Sequence, residues 1–209
     1  KKPIAVVSRQ DQWFAVVGLP LGLSSGTHSL QVNNQPISFD VQSKEYPEQH
    51  IKLKTRKHID LSAEDLKRHR GEKKRSIAVF RHFEPGLEPD LAFILPVEGP
   101  FSSPFGLKRF YNGEPRKPHS GLDIAAPTGT KIVAPAAGRV VLTGDFFFNG
   151  NVVYLDHGQG VVTMYCHLSE ISVEEGQWLE KGQRLGAVGA TGRVTGHHLH
   201  WSVSLNDSR

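Results

Sequence analysis

From Leu91 onward, glycines separate nearly every apolar run, and this punctuation constrains the fold more than any other feature of the chain. The runs cover residues 93–95, 131–134, 139–142, 152–155, 161–165, 178–179, 184–188 and 198–205. Short apolar runs bounded by a residue that turns at little cost read as strands, here an antiparallel sheet assembly with tight turns. The whole chain has 21 Gly and 13 Pro in 209 residues, which also favours β over helix.

Residues 1–58 read as a smaller unit of the same class. Apolar runs recur at 4–7, 13–17, 28–32, 37–41 and 51–54. Gly18-Leu19-Pro20, Ser24-Ser25-Gly26 and Asn33-Asn34 break them, a spacing that predicts a small β-sandwich-like accessory domain. No cluster of chemically capable residues lies there, so it reads as a spacer, binding or regulatory module. Residues 59–90 read as a basic, partly helical linker. Ser62 is a helix N-cap with Glu64 and Asp65 in the first turn, followed by the basic run Lys67 to Arg75 with a weak point at Gly71. Without interleaved aromatics the run reads as a solvated linker helix and not as a nucleic-acid surface, and Ile77, Phe80 and Phe83 are the residues that would dock it. Glu84-Pro85-Gly86 and Glu88-Pro89-Asp90 close the linker, leaving 91–209 as the main β domain.

The apolar fraction of 38% and charged fraction of 22% are those of a soluble globular protein. The net charge of +4 suits an anionic partner, such as nucleic acid, a membrane surface or an acidic cell-wall polymer, but solubility alone explains it. Cys166 is the single cysteine, which excludes an intrachain disulfide and a Cys-rich metal site. No apolar run approaches a membrane span, and Lys1-Lys2-Pro3-Ile4 opens no signal peptide. The expectation for an exported protein is that the leader lies outside this sequence.

The chemistry is in the histidines. Alternation through Leu199 to Leu205 makes the last run a strand, so His198 and His200 project from one face. Two such imidazoles serve one metal ion, or one metal and its reacting water. His119-Ser-Gly-Leu-Asp123 offers an imidazole and a carboxylate, with Gly121 permitting the bend that brings them together. His167 closes an apolar strand at a point where it reaches a cleft. Together, His119, Asp123 and His200 make three protein ligands and leave one position for water, while His167 and His198 remain as unligated imidazoles that take and return a proton near neutral pH. The zincin His-Glu-x-x-His motif is absent, so a histidine base is the natural substitute.

His119-Ser-Gly-Leu-Asp123, Met164-Tyr-Cys-His167-Leu and His198-Leu-His200 resemble the three motifs of the M23 (lysostaphin/LytM-type) zinc metallopeptidases. Ser103-Pro-Phe-Gly106, Ile124-Ala-Ala-Pro127, Val133-Ala-Pro135, Gly138-Arg-Val140 and Gly189-Ala-Thr-Gly192 are similar to the linking text, so the likeness covers about residues 94–205. The resemblance implies one Zn2+ per chain on His119, Asp123 and His200, with His198 and His167 assisting the water and the oxyanion. It implies a zinc metalloendopeptidase cutting peptide cross-links of bacterial peptidoglycan, with D-Ala–diaminopimelate bonds the first choice and glycine bridges the second. It places the protein in the periplasm or cell envelope. His197 is flanking, and Ser202 stands where many members carry an acid. Asn112 and Arg116 lie on a loop expected to border the groove, and the first unit is more weakly similar to accessory β domains of Gram-negative envelope proteins, which implies an envelope protein partner.

Other readings fit less of the text. Residues 133–140 and 173–185 resemble the half-motifs of biotinyl/lipoyl carriers, but the interval 142–172 has no lysine to carry a cofactor. A non-catalytic or self-inhibited activator of other cell-wall hydrolases would keep the groove while the site lay idle, and the intact set of five residues favours activity. A zinc amidase fits the motif order less well. Cys166 beside His167 invites a Cys–His nucleophile, but neighbours on a strand face opposite ways, so Cys166 reads as a buried filler.

Overall fold

The computed structural model describes residues 3–52 and 61–209. In the first of these segments, β1 (Ala5–Arg9) and β2 (Gln12–Val16) form one antiparallel hairpin, and β3 (Gly26–Val32) and β4 (Gln35–Val41) another. The turns use paired left-handed residues, Gln10-Asp11 and Asn33-Asn34, as two-residue hairpin loops require. The expected small β unit is thus two hairpins, in separate two-stranded sheets. Most of their side chains are exposed, and Ala5 and Val7 are the buried apolar ones. The third piece, β5 (Glu48–Ile51), leaves the hairpins altogether. The end of the expected 51–54 run and the 58/59 boundary fall in residues 53–60, outside the described residues.

After α1 (Ala63–Arg81) come β6 (Phe101–Ser103), β7 (Lys108–Tyr111), β8 (Glu114–Pro115) and β9 (Leu122–Ala125). They are followed by β10 (Lys131–Val133), β11 (Gly138–Phe146), β12 (Gly150–Asp156) and β13 (Val161–Ile171). β14 (Trp178–Leu179), β15 (Arg184–Val188) and β16 (His198–Leu205) complete the chain. A nine-stranded antiparallel sheet runs β14-β11-β12-β13-β16-β9-β6, with β15 on the far end of β13 and β10 beyond it. β7 and β8 form a side hairpin, onto which β5 adds in parallel.

The alternation of strand side chains divides the core. One face carries Ile124, Val140, Val153, Leu155, Tyr165, Leu168 and Leu199. The other carries Leu142, Phe146, Val152, Tyr154, Val162, Met164 and Cys166, and helix α1 covers it through Phe80, which is 2% exposed. Burying a Phe side chain contributes roughly 1.5–3 kcal/mol. Ser76 Oγ meets Tyr154 OH at 2.7 Å beside it. The helix starts as the sequence implies, with the Asp65 N–H donating to Ser62 Oγ at 3.0 Å. It is a docked element and not a solvated connector, because Phe80 and Glu72 both face the sheet.

Residues 93–95 form no ladder. Pro96 follows them, Ile94 donates one bond to Pro135 O, and Phe93 packs across the rings of His157 and Trp201. The end of β13 departs from regular geometry in a way that bears on the chemistry below.

Gly71 sits inside the unbroken helix, exposed, and a Cβ there would meet nothing within 4 Å. Gly71→Ala is therefore expected to raise unfolding stability by about 1 kcal/mol, measured by denaturant titration.

Candidate metal centre

Three elements bring the chemical residues together. β16 pairs with β9 in a register that sets His200 opposite Asp123, so both project from the sheet face that α1 covers further along. Cys166 lies opposite His200 on the other neighbour, β13. His119 precedes β9 and reaches the same point because the chain crosses β16 closely at Gly121. A Cβ on Gly121 would lie 2.5 Å from Ser202 Oγ and 2.7 Å from His200 Cε1. Gly121 is needed for this close approach and not for a left-handed bend, since its φ is not in that region.

His167 arrives by a β-bulge. Tyr165 and Leu168 both face the first core, so Cys166 and His167 between them share the opposite face. The partner strand advances from Asn151 to Val153 while β13 advances from Leu168 to Tyr165, one residue more. His167 takes φ 67° to make this possible. The expectation that Cys166 and His167 face opposite ways is therefore overturned. Cys166 is nonetheless the buried filler expected, with burial pushing its thiol up to about 12.

The donor atoms converge. His200 Nδ1 lies 2.7 Å from Asp123 Oδ1, and His119 Nε2 lies 2.9 Å from both Asp123 Oδ1 and His200 Nδ1. These three residues offer ligand atoms within 4.8 Å of one another, a group able to hold a metal ion. The far side of each ring is engaged. His119 Nδ1 donates to Pro104 O at 3.0 Å, which leaves Nε2 as a lone pair. Ser202 Oγ donates to Ser120 O at 3.0 Å and so accepts from His200 Nε2 at 2.9 Å, which leaves Nδ1 as a lone pair. Arg109 holds the other carboxylate oxygen, Asp123 Oδ2, at 3.2 Å. A set of two imidazole nitrogens and a carboxylate oxygen, each oriented from behind, fits a divalent ion with an open position.

The remaining two imidazoles face the same centre. His198 Nε2 is 3.8 Å from Asp123 Oδ1, with its Nδ1 donating to Gly196 O at 3.0 Å. The His167 ring lies 5.0 Å from that of His198, with Nδ1 donating to Thr191 O at 2.9 Å. Burial pushes His167 down to about 4, so its ring is neutral at pH 7. Burial also lowers His200. Burial opposes ionisation of Asp123, yet the hydrogen bonds and charges of His119 and His200 hold it well below the usual carboxylate range.

His197 lies outside this group, on the surface against Thr128. Asn112 occupies the two-residue turn of the β7–β8 hairpin, with φ 51° before Gly113 at 83°. Arg116 stacks over Tyr111 and donates to Glu114. That hairpin borders the centre through Arg109, which no motif in the sequence marks, and the same is true of Pro104 and Thr191. Carbonyl acceptors leave no side-chain signature, and Arg109 is one of many basic residues.

Two family models match the chain: peptidase family M23 over residues 117–209 and the peptidase family M23 N-terminal domain over residues 1–44. The crystal structure of a putative M23 peptidase from Pseudomonas aeruginosa is 46% identical with a TM-score of 0.82, covering 100% of this chain and 81% of that one. That of a zinc-containing peptidase from Vibrio cholerae is 34% identical with a TM-score of 0.53, covering 56% of this chain and 38% of that one. Peptidoglycan DD-endopeptidase ShyA of Vibrio cholerae serotype O1 is 46% identical over 86 residues, which are 41% of this chain. The matched stretch spans 20% of that curated relative.

Ser202→Ala removes the acceptor for His200 Nε2, and it is expected to weaken divalent-metal affinity about 10–100-fold in a chelator competition titration. The folded-state depression of His167 also has a sign. Between about 6.5 and about 4 the unfolded chain takes up a proton that the folded chain refuses. Metal-free protein is therefore expected to be most stable above pH 6.5 and to lose stability as pH falls through that window, read by thermal unfolding at stepped pH.

Proposed function

The chain belongs to peptidase family M23, and from this premise we propose that it is a zinc metalloendopeptidase that hydrolyses peptide cross-links of bacterial peptidoglycan. The observation that carries the reading is the convergence of His119 Nε2, Asp123 Oδ1 and His200 Nδ1 with two further imidazoles at the same point. Zinc is the ion of choice for this donor set, and the similar Vibrio cholerae structure, that of a zinc-containing peptidase, supports the choice. The similarity to ShyA, a peptidoglycan DD-endopeptidase by name, makes a D,D-linked peptide the first substrate to test and the cell envelope the place of action.

When bound, zinc supplies Lewis acidity that polarises a peptide carbonyl and acidifies water. The rest is work for the protein's own groups. Asp123 stays ionised in a buried position because His119 and His200 hold it, so it brings the negative charge the ion needs. His167 is neutral at pH 7 with Nδ1 committed to Thr191 O, so Nε2 is free to take a proton from the attacking water. His198, anchored through Nδ1 to Gly196 O, presents Nε2 from the other side. His167 then returns that proton to the departing amine, while a protonated His198 would hold its own proton at Nε2 and hydrogen-bond the oxyanion with it.

His119→Ala and Asp123→Ala are expected to lose zinc, measured by elemental analysis, and with it all cleavage of purified sacculi, read as muropeptides by mass spectrometry. His167→Ala and His198→Ala are expected to keep zinc while kcat falls about 10²–10⁴-fold. Full zinc in either of the first pair removes that residue from the ligand set, and near-normal kcat in either of the second removes its assigned role.

A further inference from the structure

Glu72 is a carboxylate turned inward on α1, with 8% of the residue exposed. Its Oε1 and Oε2 both accept the N–H of Phe147 at 3.0 Å, and Oε1 also accepts Arg68 Nε at 2.7 Å. Arg68 reaches past it to the carbonyl and the carboxylate of Asp145, at 2.9 and 3.0 Å. One turn of the helix therefore grips the end of β11 and the first residue of its connection to β12.

That connection is what holds His167. Asn149 O accepts the His167 N–H at 2.8 Å, the bond that supports the left-handed residue in its bulge. Phe148 O accepts the Arg193 N–H at 2.9 Å, which ties down the segment whose Thr191 carbonyl receives His167 Nδ1–H. Thr191 Oγ1 completes the tie by accepting the Asn151 N–H and donating to Leu168 O, both at 2.9 Å. Gly150 lets the two segments touch, since a Cβ there would lie 2.6 Å from Gly192 N. The main chain and the ring of His167 thus depend on the same three-residue turn, and the turn depends on Glu72.

We infer that Glu72, which α1 carries, is a positioning residue for His167. The inference rests on the reading of His167 as the group that handles the water proton. A carboxylate suits the task because a partly buried N–H left without an acceptor is costly, while Arg68 compensates the charge on the solvent side. A small displacement is enough to matter, since catalysis falls steeply when a proton acceptor moves by about 1 Å.

The test uses the full chain loaded with zinc and cross-linked muropeptide dimers as substrate, comparing Glu72→Ala, Glu72→Gln and Phe80→Ala. Glu72→Ala is expected to lower kcat about 10–100-fold with KM within about twofold and unchanged zinc content. Its His167 amide is expected to exchange with solvent faster. Glu72→Gln keeps an acceptor oxygen for Phe147 and is expected to restore most of kcat and the amide protection. Phe80→Ala loosens the same helix without touching the turn, and it is expected to keep kcat at temperatures where it is folded. Equal loss of kcat in Phe80→Ala, unchanged kcat in Glu72→Ala, or unchanged exchange at His167 would overturn the assignment. If the unaltered protein leaves the dimers uncut, the hydrolase reading fails separately. Amide exchange then decides alone: faster exchange at His167 in Glu72→Ala and protection in Glu72→Gln supports the positioning role, and any other pattern overturns it.

Discussion

One left-handed residue, His167, decides which imidazoles meet on this sheet. A regular strand would carry it to the same face as Tyr165, into the apolar core with Val153 and Leu199. The extra residue in β13 keeps both Cys166 and His167 on the opposite face, where His198, His200 and Asp123 already stand in register. A non-glycine residue at φ 67° is held there at a cost, and the surrounding hydrogen bonds must offset it. Asn149 O and Thr191 O supply them, and they lie in the connections at this end of the sheet. Much of the architecture beside the centre can be understood as support for that one bulge.

The same logic governs the other imidazoles. Each of the four at the centre presents one nitrogen inward because the other is engaged by a carbonyl or a hydroxyl. The acceptors Pro104, Thr191 and Gly196 are main-chain oxygens in connections, so they position without adding charge. Arg109 is the exception, a cation placed against Asp123 Oδ2. It holds the outer carboxylate oxygen and leaves Oδ1 to the histidines.

The parts of this arrangement that follow from local periodicity are legible in the sequence. Alternation marks the strand of His198 and His200, and the glycine spacing marks most of the ladder. The helix start at Ser62 follows from its cap. What is not legible is what depends on pairing between distant segments. Parity alone misplaces His167 relative to Cys166, because a bulge is defined by the partner strand. Residues 93–95 have strand composition but no partner. The basic run around Arg68 to Arg75 resembles a solvated face, and nothing local reveals that Glu72 meets the N–H of Phe147. By composition β5 goes with the hairpins that precede it, yet it pairs with β7, and Tyr46 beside it lies directly over Gly106, whose N–H donates to His119 O. The first unit and the segment that carries His119 are thus contiguous at a point that no motif marks.

Ser202 braces the group of imidazoles from behind His200. A carboxylate behind His200 would raise the basicity of that imidazole, but it would only accept hydrogen bonds. The hydroxyl does both, accepting from His200 Nε2 and donating to Ser120 O. Ser120 adjoins His119, so one small side chain links the segments that carry His119 and His200. The crossing is tight, with Gly121 lying against Ser202 and His200, and it leaves little room for a longer group. A serine here therefore forgoes the electron donation that a carboxylate would give through His200 and supplies a mechanical tie between the segments that carry His119 and His200.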